Sequence, residues 1–159
     1  LKNVLSLLKE GREIALISEA GTPGVSDPGY FLARACVKEN IPFTALPGPT
    51  AAVNALVLSG LPTDKFFFTG FLSPKKGKRD RQLKELAGIK TTLVIFESRR
   101  RLLSILKDSM AYFKDKKVVV LREMTKLYEE VLRGKLDFLI SRIQDRALKG
   151  EFVIVIDNR

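Results

Sequence analysis

The chain has 159 residues, 45% of them apolar, with a formal net charge of +10. That is enough for one large domain or two small ones and for a sizeable core, which excludes a disordered chain. One cysteine and no histidine exclude an internal disulfide, a zinc site built from Cys and His, and every catalytic scheme that uses imidazole.

No apolar run approaches the ~18 residues a membrane span requires. No clustered carboxylate motif points to a hard metal, so no metal is expected. A reducing cytoplasm fits the cysteine usage. The charge is uneven. Residues 1–46 hold five basic and five acidic side chains, so the whole excess falls on residues 47–159. Positive charge confined to one part of a chain predicts a surface facing a polyanion there, against the plainer reading of a basic solvated surface.

In chain order, LKNVLSLLKE reads as the end of an amphipathic helix, with Val4, Leu5, Leu7 and Leu8 on one side. It has neither the layout of a signal peptide nor an initiator Met, and the expectation is a chain that begins in mid-element. Glu13–Ser18 reads as a short buried strand, residues 19–28 as a loop, and Gly29–Glu39 as a helix stopped by Asn40 and Pro42. Cys36 on that helix reads as a small buried thiol. Phe43–Leu46 reads as a second strand, which completes a βαβ unit. Pro47-Gly48-Pro49 is a rigid turn and Thr50 an N-cap for a helix over Ala51–Leu58. A domain boundary is expected here, giving domains of 1–48 and 49–159.

Beyond it the pattern predicts a strand over Lys65–Gly70, a basic loop at 73–78, a helix over Arg79–Leu86 and a strand over Thr91–Glu97. A helix over Leu102–Phe113, a strand over Val118–Arg122, a helix over Lys135–Asp145 and a closing strand over Glu151–Asp157 follow. The alternation predicts an α/β fold.

The stretch SEAGTPGVSDPG, from Ser18 to Gly29, sits at a predicted strand end, where open α/β sheets bind ligands. Gly21 and Gly24 let a ligand approach the backbone, and Thr22, Ser26 and Asp27 offer polar groups. The composition fits equally a long loop with no ligand. Neither a dinucleotide fingerprint nor a phosphate P-loop is present. Two basic clusters stand out. Lys75, Lys76, Lys78, Arg79 and Arg81 surround Gly77, and Arg99, Arg100 and Arg101 are consecutive. Both suit phosphate contact, with exposed solvated arginines as the alternative for the second. Phe66, Phe67, Phe68 and Phe71 lie nearby as possible stacking faces for an unpaired base, though alternation favours the core for Phe66 and Phe68.

SEAGTPGVSDPG resembles the S-D-A-G-T-P-x-x-S-D-P-G signature of the tetrapyrrole methylase superfamily, and LPGPTA resembles its Pro-Gly-x-Ser/Thr-Ala segment. FTGFLSPKKGKR, TTLVIFES, REMTKLYEEVLRG and GEFVIVI resemble, in order, the ribosomal RNA small-subunit methyltransferase I branch. The resemblance implies two α/β domains with a cofactor cleft between them, the first domain incomplete. The family's first strand and its Pro-Thr-Pro-Ile-Gly-Asn-type loop have no counterpart here, so a fragment of a longer enzyme is expected.

The resemblance also implies S-adenosylmethionine as cofactor and methylation of a cytidine ribose 2′-hydroxyl in small-subunit ribosomal RNA. Its implied partners are that RNA and a second copy of the chain, with no DNA and no membrane. It maps cofactor contacts onto Gly21, Thr22, Val25, Thr50 and Ala51, and less surely onto Thr125 and Gly150. Glu97, at a strand end in a family motif, is the expected general base, with a solvated strand-end carboxylate as the plainer reading. The family usually reads Glu-Ser-Pro-His-Arg where this chain has Glu97-Ser98-Arg99-Arg100-Arg101, which removes a turn and an imidazole and adds guanidiniums. Two alternatives stand beside this reading: a precorrin-type small-molecule methyltransferase sharing the cofactor site, and a non-catalytic RNA-binding module.

Overall fold

The computed structural model describes every residue from Leu1 to Arg159. The chain divides into two compact units, Leu1–Thr50 and Ala51–Arg159.

The first unit contains two helices, α1 (Lys2–Lys9) and α2 (Tyr30–Lys38). Lys9, in the last turn of α1, pairs with Glu39, the residue that closes α2, at 2.9 Å. Asn40 stops α2 as expected. It adopts the left-handed conformation at φ 53, and the next amide, Ile41 N–H, returns to the Cys36 carbonyl at 2.9 Å. Cys36 itself is buried.

The two strands expected at 13–18 and 43–46, and with them the βαβ unit, are not formed. A strand exists only as one half of a ladder, and neither segment makes ladder hydrogen bonds to any other part of the chain. Their apolar side chains stay open, with Ile17 85% exposed and Leu46 80% exposed. Apolar runs of this length mark what wants to be covered, not what covers it.

The second unit is an α/β layer built on one mixed five-stranded sheet. Its strands are β1 (Phe66–Phe71), β2 (Thr92–Ser98), β3 (Val118–Arg122), β4 (Glu130–Gly134) and β5 (Glu151–Asp157), in spatial order β1-β2-β5-β3-β4. β1 pairs with β2 in parallel, and β5 runs antiparallel to both β2 and β3. The carboxyl ends of β1, β2 and β3 therefore share one end of the sheet with the amino ends of β4 and β5. β4 pairs antiparallel with β3 and has no counterpart among the expected elements. Its residues, EVLRG, include two charged side chains and a glycine and lie at the sheet's edge, so they lack the apolar run of a central strand.

Four helices cover the two faces. On one face α4 (Lys76–Ala87), α5 (Arg99–Phe113) and α6 (Leu136–Ile143) place Leu83, Ile105, Leu106, Phe113 and Leu139 against Leu93, Ile95, Val120, Ile154 and Ile156. On the other, α3 (Ala51–Ser59) sets Ala52, Ala55 and Leu56 against Val94, Val119, Val153 and Val155. The period of two in each strand splits these sets cleanly between the faces. Phe68 packs beside the second set, whereas Phe66, also expected in the core, is 43% exposed on the edge strand. α4 starts at Lys76, so half of the expected basic loop is the first turn of a helix.

One buried side chain ties α4 to the end of β5. Asn158 Nδ2 donates to the carbonyls of Leu86, Ala87 and Ile89 at 3.1, 3.2 and 2.7 Å, where the helix has run out of its own amide donors. Asn158→Ala leaves the Ala87 carbonyl without a donor, takes one of two donors from those of Leu86 and Ile89, and is expected to destabilise the chain by about 1–3 kcal/mol. A urea midpoint within error of the wild type contradicts that assignment.

Candidate functional site

The SEAGTPG loop is held by its own polar groups. Ser18 Oγ donates to the carbonyls of Ala20 and Gly21, each at 3.1 Å, and Gly24 N–H donates to the Pro28 carbonyl at 3.1 Å. Gly29, at φ 138, sits where a Cβ would fall 2.8 Å from Leu16 Cδ2 and 3.2 Å from the Gly24 backbone, so the loop closes tightly there. Thr22 Oγ1 donates to the Pro49 carbonyl at 3.3 Å and lies beside Gly48. Gly21, at φ 73, faces the same carbonyl. The fold of the first unit thus brings two motifs that lie 27 residues apart into one place. Gly21 and Thr22 meet the Pro-Gly-Pro turn that leads into Thr50, and two glycines leave backbone uncovered there. Val25 is exposed, and Ala51, the residue after Thr50, opens α3.

Thr125 and Gly150 come together in the second unit, at the shared end of the sheet. The β3–β4 connection, residues 123–129, is cross-braced to the start of β5. Glu123 N–H donates to the Glu151 carbonyl at 3.0 Å and Glu151 N–H returns to Glu123 Oε1 at 2.8 Å. Lys126 Nζ bridges Glu123 Oε1 and Glu151 Oε2 at 3.2 and 3.1 Å. Thr125 N–H donates to Glu129 Oε2 at 2.6 Å. Glu123 and Thr125 both hold positive φ, 46 and 66, a strain that persists only where surroundings enforce it. Any side chain at Gly150 would run into Glu123.

The amide of Glu151, then Lys126, holds the Glu123 carboxyl below the usual glutamate range, and Glu151 and Glu123 raise Lys126. Lys126 is therefore a cation, not a base. Neither Lys126 nor Glu123 stood out in the sequence, and Glu151 did so only as the neighbour of Gly150. The motif REMTKLYEEVLRG contains two of them, but their pairing depends on the β3–β5 register, which no local pattern discloses.

The basic side chains gather at this same end. Lys75, Lys76, Lys78 and Arg81 are exposed at and after the β1–α4 connection, and Arg99 and Arg100 are exposed on the first turn of α5 after β2. None takes part in an internal salt bridge.

The other two arginines of the expected set are corrected by the structure. Arg79 is 6% exposed, pairs with Asp108 at 2.6 Å, and donates to the carbonyls of Ser73 and Pro74 at 3.4 and 3.0 Å. Arg101 donates to Glu97 Oε1 and to the Leu72 carbonyl, each at 2.9 Å. These two guanidiniums face inward, and their work is to fix residues 72–74, the lead-in to the lysines.

Glu97 is corrected as well. Its side chain has no exposed surface. Oε1 accepts from Ser98 N–H, Ser98 Oγ and Arg101 Nε, and Oε2 is buried with no partner. It points to the same sheet face as Leu93 and Ile95, toward α5. It is not a solvated carboxylate, and its place is that of a positioning residue for Arg101. Glu97→Ala strands the guanidinium and is expected to cost ~3 kcal/mol, the lower end for a broken buried pair because Arg101 keeps 23% of its surface. Chemical denaturation checks this, and an unchanged midpoint contradicts it.

Comparison with known proteins agrees with this architecture. Residues 2–139 match the family of tetrapyrrole (corrin/porphyrin) methylases. The chain is 43% identical over 159 residues to a ribosomal RNA small subunit methyltransferase I from Thermotoga maritima, covering 100% of this chain and 71% of that protein. Proteins of the same name from Halalkalibacterium halodurans and Synechocystis sp. are 43% and 42% identical over 98% of this chain, which spans only 54% and 56% of their length.

Among solved structures, the methyltransferase CobJ superposes with a TM-score of 0.69 at 18% identity, over 98% of this chain and 68% of that one. A uroporphyrin-III C-methyl transferase from Thermus thermophilus, complexed with S-adenyl homocysteine, gives a TM-score of 0.62 at 18% identity, over 99% of this chain and 71% of that one. At such identity the structures speak for the fold alone, whereas the sequence relatives are specific. The chain belongs to the tetrapyrrole methylase family, in its ribosomal RNA small subunit methyltransferase I branch.

Proposed function

We propose that this chain is the part of an S-adenosylmethionine-dependent methyltransferase that holds cofactor and RNA, and that the methyl acceptor is a cytidine ribose 2′-hydroxyl of small-subunit ribosomal RNA. The observation that carries the reading is the gathering of six free basic side chains at one sheet end, in a chain of this branch. These cations are spread over two separate connections of the sheet, a layout that suits an extended polyanion backbone.

The residues fit the cofactor in kind. Gly21 and Gly48 leave backbone open beside Thr22, where a carboxylate or ribose can be gripped by amide and hydroxyl groups. When bound, S-adenosylmethionine supplies a methyl group on a positively charged sulfur. The chain's task is then alignment: an in-line displacement goes fast once nucleophile and carbon are held close and collinear. Glu97 is enclosed and Lys126 is charged, so in this reading neither takes the hydroxyl proton. Lys75, Lys76, Lys78, Arg81, Arg99 and Arg100 neutralise phosphates and set the RNA's register without reading its sequence.

Two measurements test this. Calorimetric titration with S-adenosylhomocysteine should give one-to-one binding, weakened about tenfold or more by Gly21→Val, whose Cβ is strained at that positive φ. Absence of saturable binding sinks the cofactor assignment. RNA binding should fall with salt, and each of Lys75→Glu, Lys76→Glu and Lys78→Glu should lower the log–log slope by about 0.7 while leaving cofactor affinity unchanged. A slope the lysine variants do not alter removes them from the interface.

A further inference from the structure

The β3–β4 connection carries two large apolar side chains that the fold does not use. Leu127 is 89% exposed and Tyr128 65% exposed, at the tip of a loop whose flanking amides are hydrogen-bonded. Exposed apolar tips are ordinary on mobile loops, but this loop is fixed from both sides. Lys126 N–H bonds the Glu123 carbonyl at 3.0 Å and Glu129 N–H the Lys126 carbonyl at 3.1 Å. The Arg122 guanidinium stands 6.0 Å from the Tyr128 ring centroid, so the ring has a cationic neighbour and most of its surface open.

The strand order puts this loop on the same sheet end as the free lysines and arginines, two strands from β2 and three from β1. At about 4.8 Å per strand, that is about 10–14 Å, a span a few nucleotides cover. We infer that Tyr128 is a stacking platform for an unpaired RNA base, with Leu127 beside it, while the basic residues hold the flanking phosphates. Charge complementarity selects the occupant: an aromatic on a hydrogen-bonded loop, with unpaired cations two to three strands away on the same sheet end, suits single-stranded RNA, whose bases stack on aromatic rings and whose backbone is anionic. The inference rests on the RNA reading above and adds to it the residue that receives a base.

The test uses the chain with short single-stranded RNAs carrying 2-aminopurine at successive positions. Wild type should quench the fluorescence at one position. Tyr128→Ala should abolish that quenching and weaken binding roughly tenfold with the salt slope unchanged, since no phosphate contact is lost. Tyr128→Phe, which keeps the ring, should bind and quench as wild type.

If Tyr128→Ala binds like wild type while the lysine variants weaken, RNA is bound elsewhere and the Tyr128 inference is overturned alone. If Tyr128→Ala changes the salt slope, or Tyr128→Phe fails alike, the residue acts through the loop and stacking is wrong. If wild type binds no RNA, the RNA reading falls and this inference with it.

Discussion

The last strand holds the second unit together. β5 is the only strand that bridges the sheet's two halves: β2 on one side, β3 on the other. Without it the sheet separates into the pair β1–β2 and the pair β3–β4, neither of which buries two faces. Its register also aligns the end of the sheet that carries the candidate site. Ser98 lies opposite Glu151, and Arg122 opposite Phe152, so the segments after β2 and β3 and before β5 arrive at one level. A shift of one residue in β5 would turn Ile154 and Ile156 out of one core and Val153 and Val155 out of the other, and would also pull Glu151 away from Glu123 and Lys126. The core therefore enforces the site's geometry: the register that buries the most apolar surface is also the one that closes the brace.

Charge is divided between two tasks at that end. Arg79 and Arg101 are paired and inward-facing, and each donates to backbone carbonyls at 72–74. Desolvating a guanidinium offsets most of what its ion pair gains, so such pairs contribute more to geometry than to stability. Lysines 75, 76 and 78 follow immediately, unpaired. An exposed lysine on a loose loop spends entropy on every phosphate it meets, whereas one whose backbone is pinned spends less. The basic clusters thus hold two kinds of residue that look alike in one-letter code.

That division shows what the sequence discloses and what it withholds. The central strands were legible because β-branched apolar runs such as TLVIF and VVVL have no other home than a doubly covered sheet. The helix stop at Asn40 was legible because the residue's tolerance of positive φ is local chemistry. The edge strand β4 was not, since an edge needs no apolar run, and the expected strands at 13–18 and 43–46 failed because pairing is a property of two segments, not one. In the candidate site, the motif singled out Gly21 and Thr22, but their contact with the Pro49 carbonyl comes only from the folded loop. The inward turn of Arg79, Arg101 and Glu97 was not, because their partners Asp108, Leu72 and Ser73 are set by packing.

Glu97 carries that lesson to the chemistry. One of its oxygens takes three donors and the other takes none. A buried acceptor left unsatisfied has a cost, and the arrangement persists because the donors on Oε1, one of them charged, outweigh it. A carboxylate so committed cannot also move a proton for a substrate outside. Placement is what the rest of this sheet end supplies: left-handed residues at 123 and 125 are held by Glu151 and Glu129, carbonyls at 72–74 are pinned by two arginines, and the central strand β5 takes its register from the core. In the proposed methyl transfer, holding nucleophile and methyl carbon close and in line lowers the barrier, and rigidity of this kind serves that.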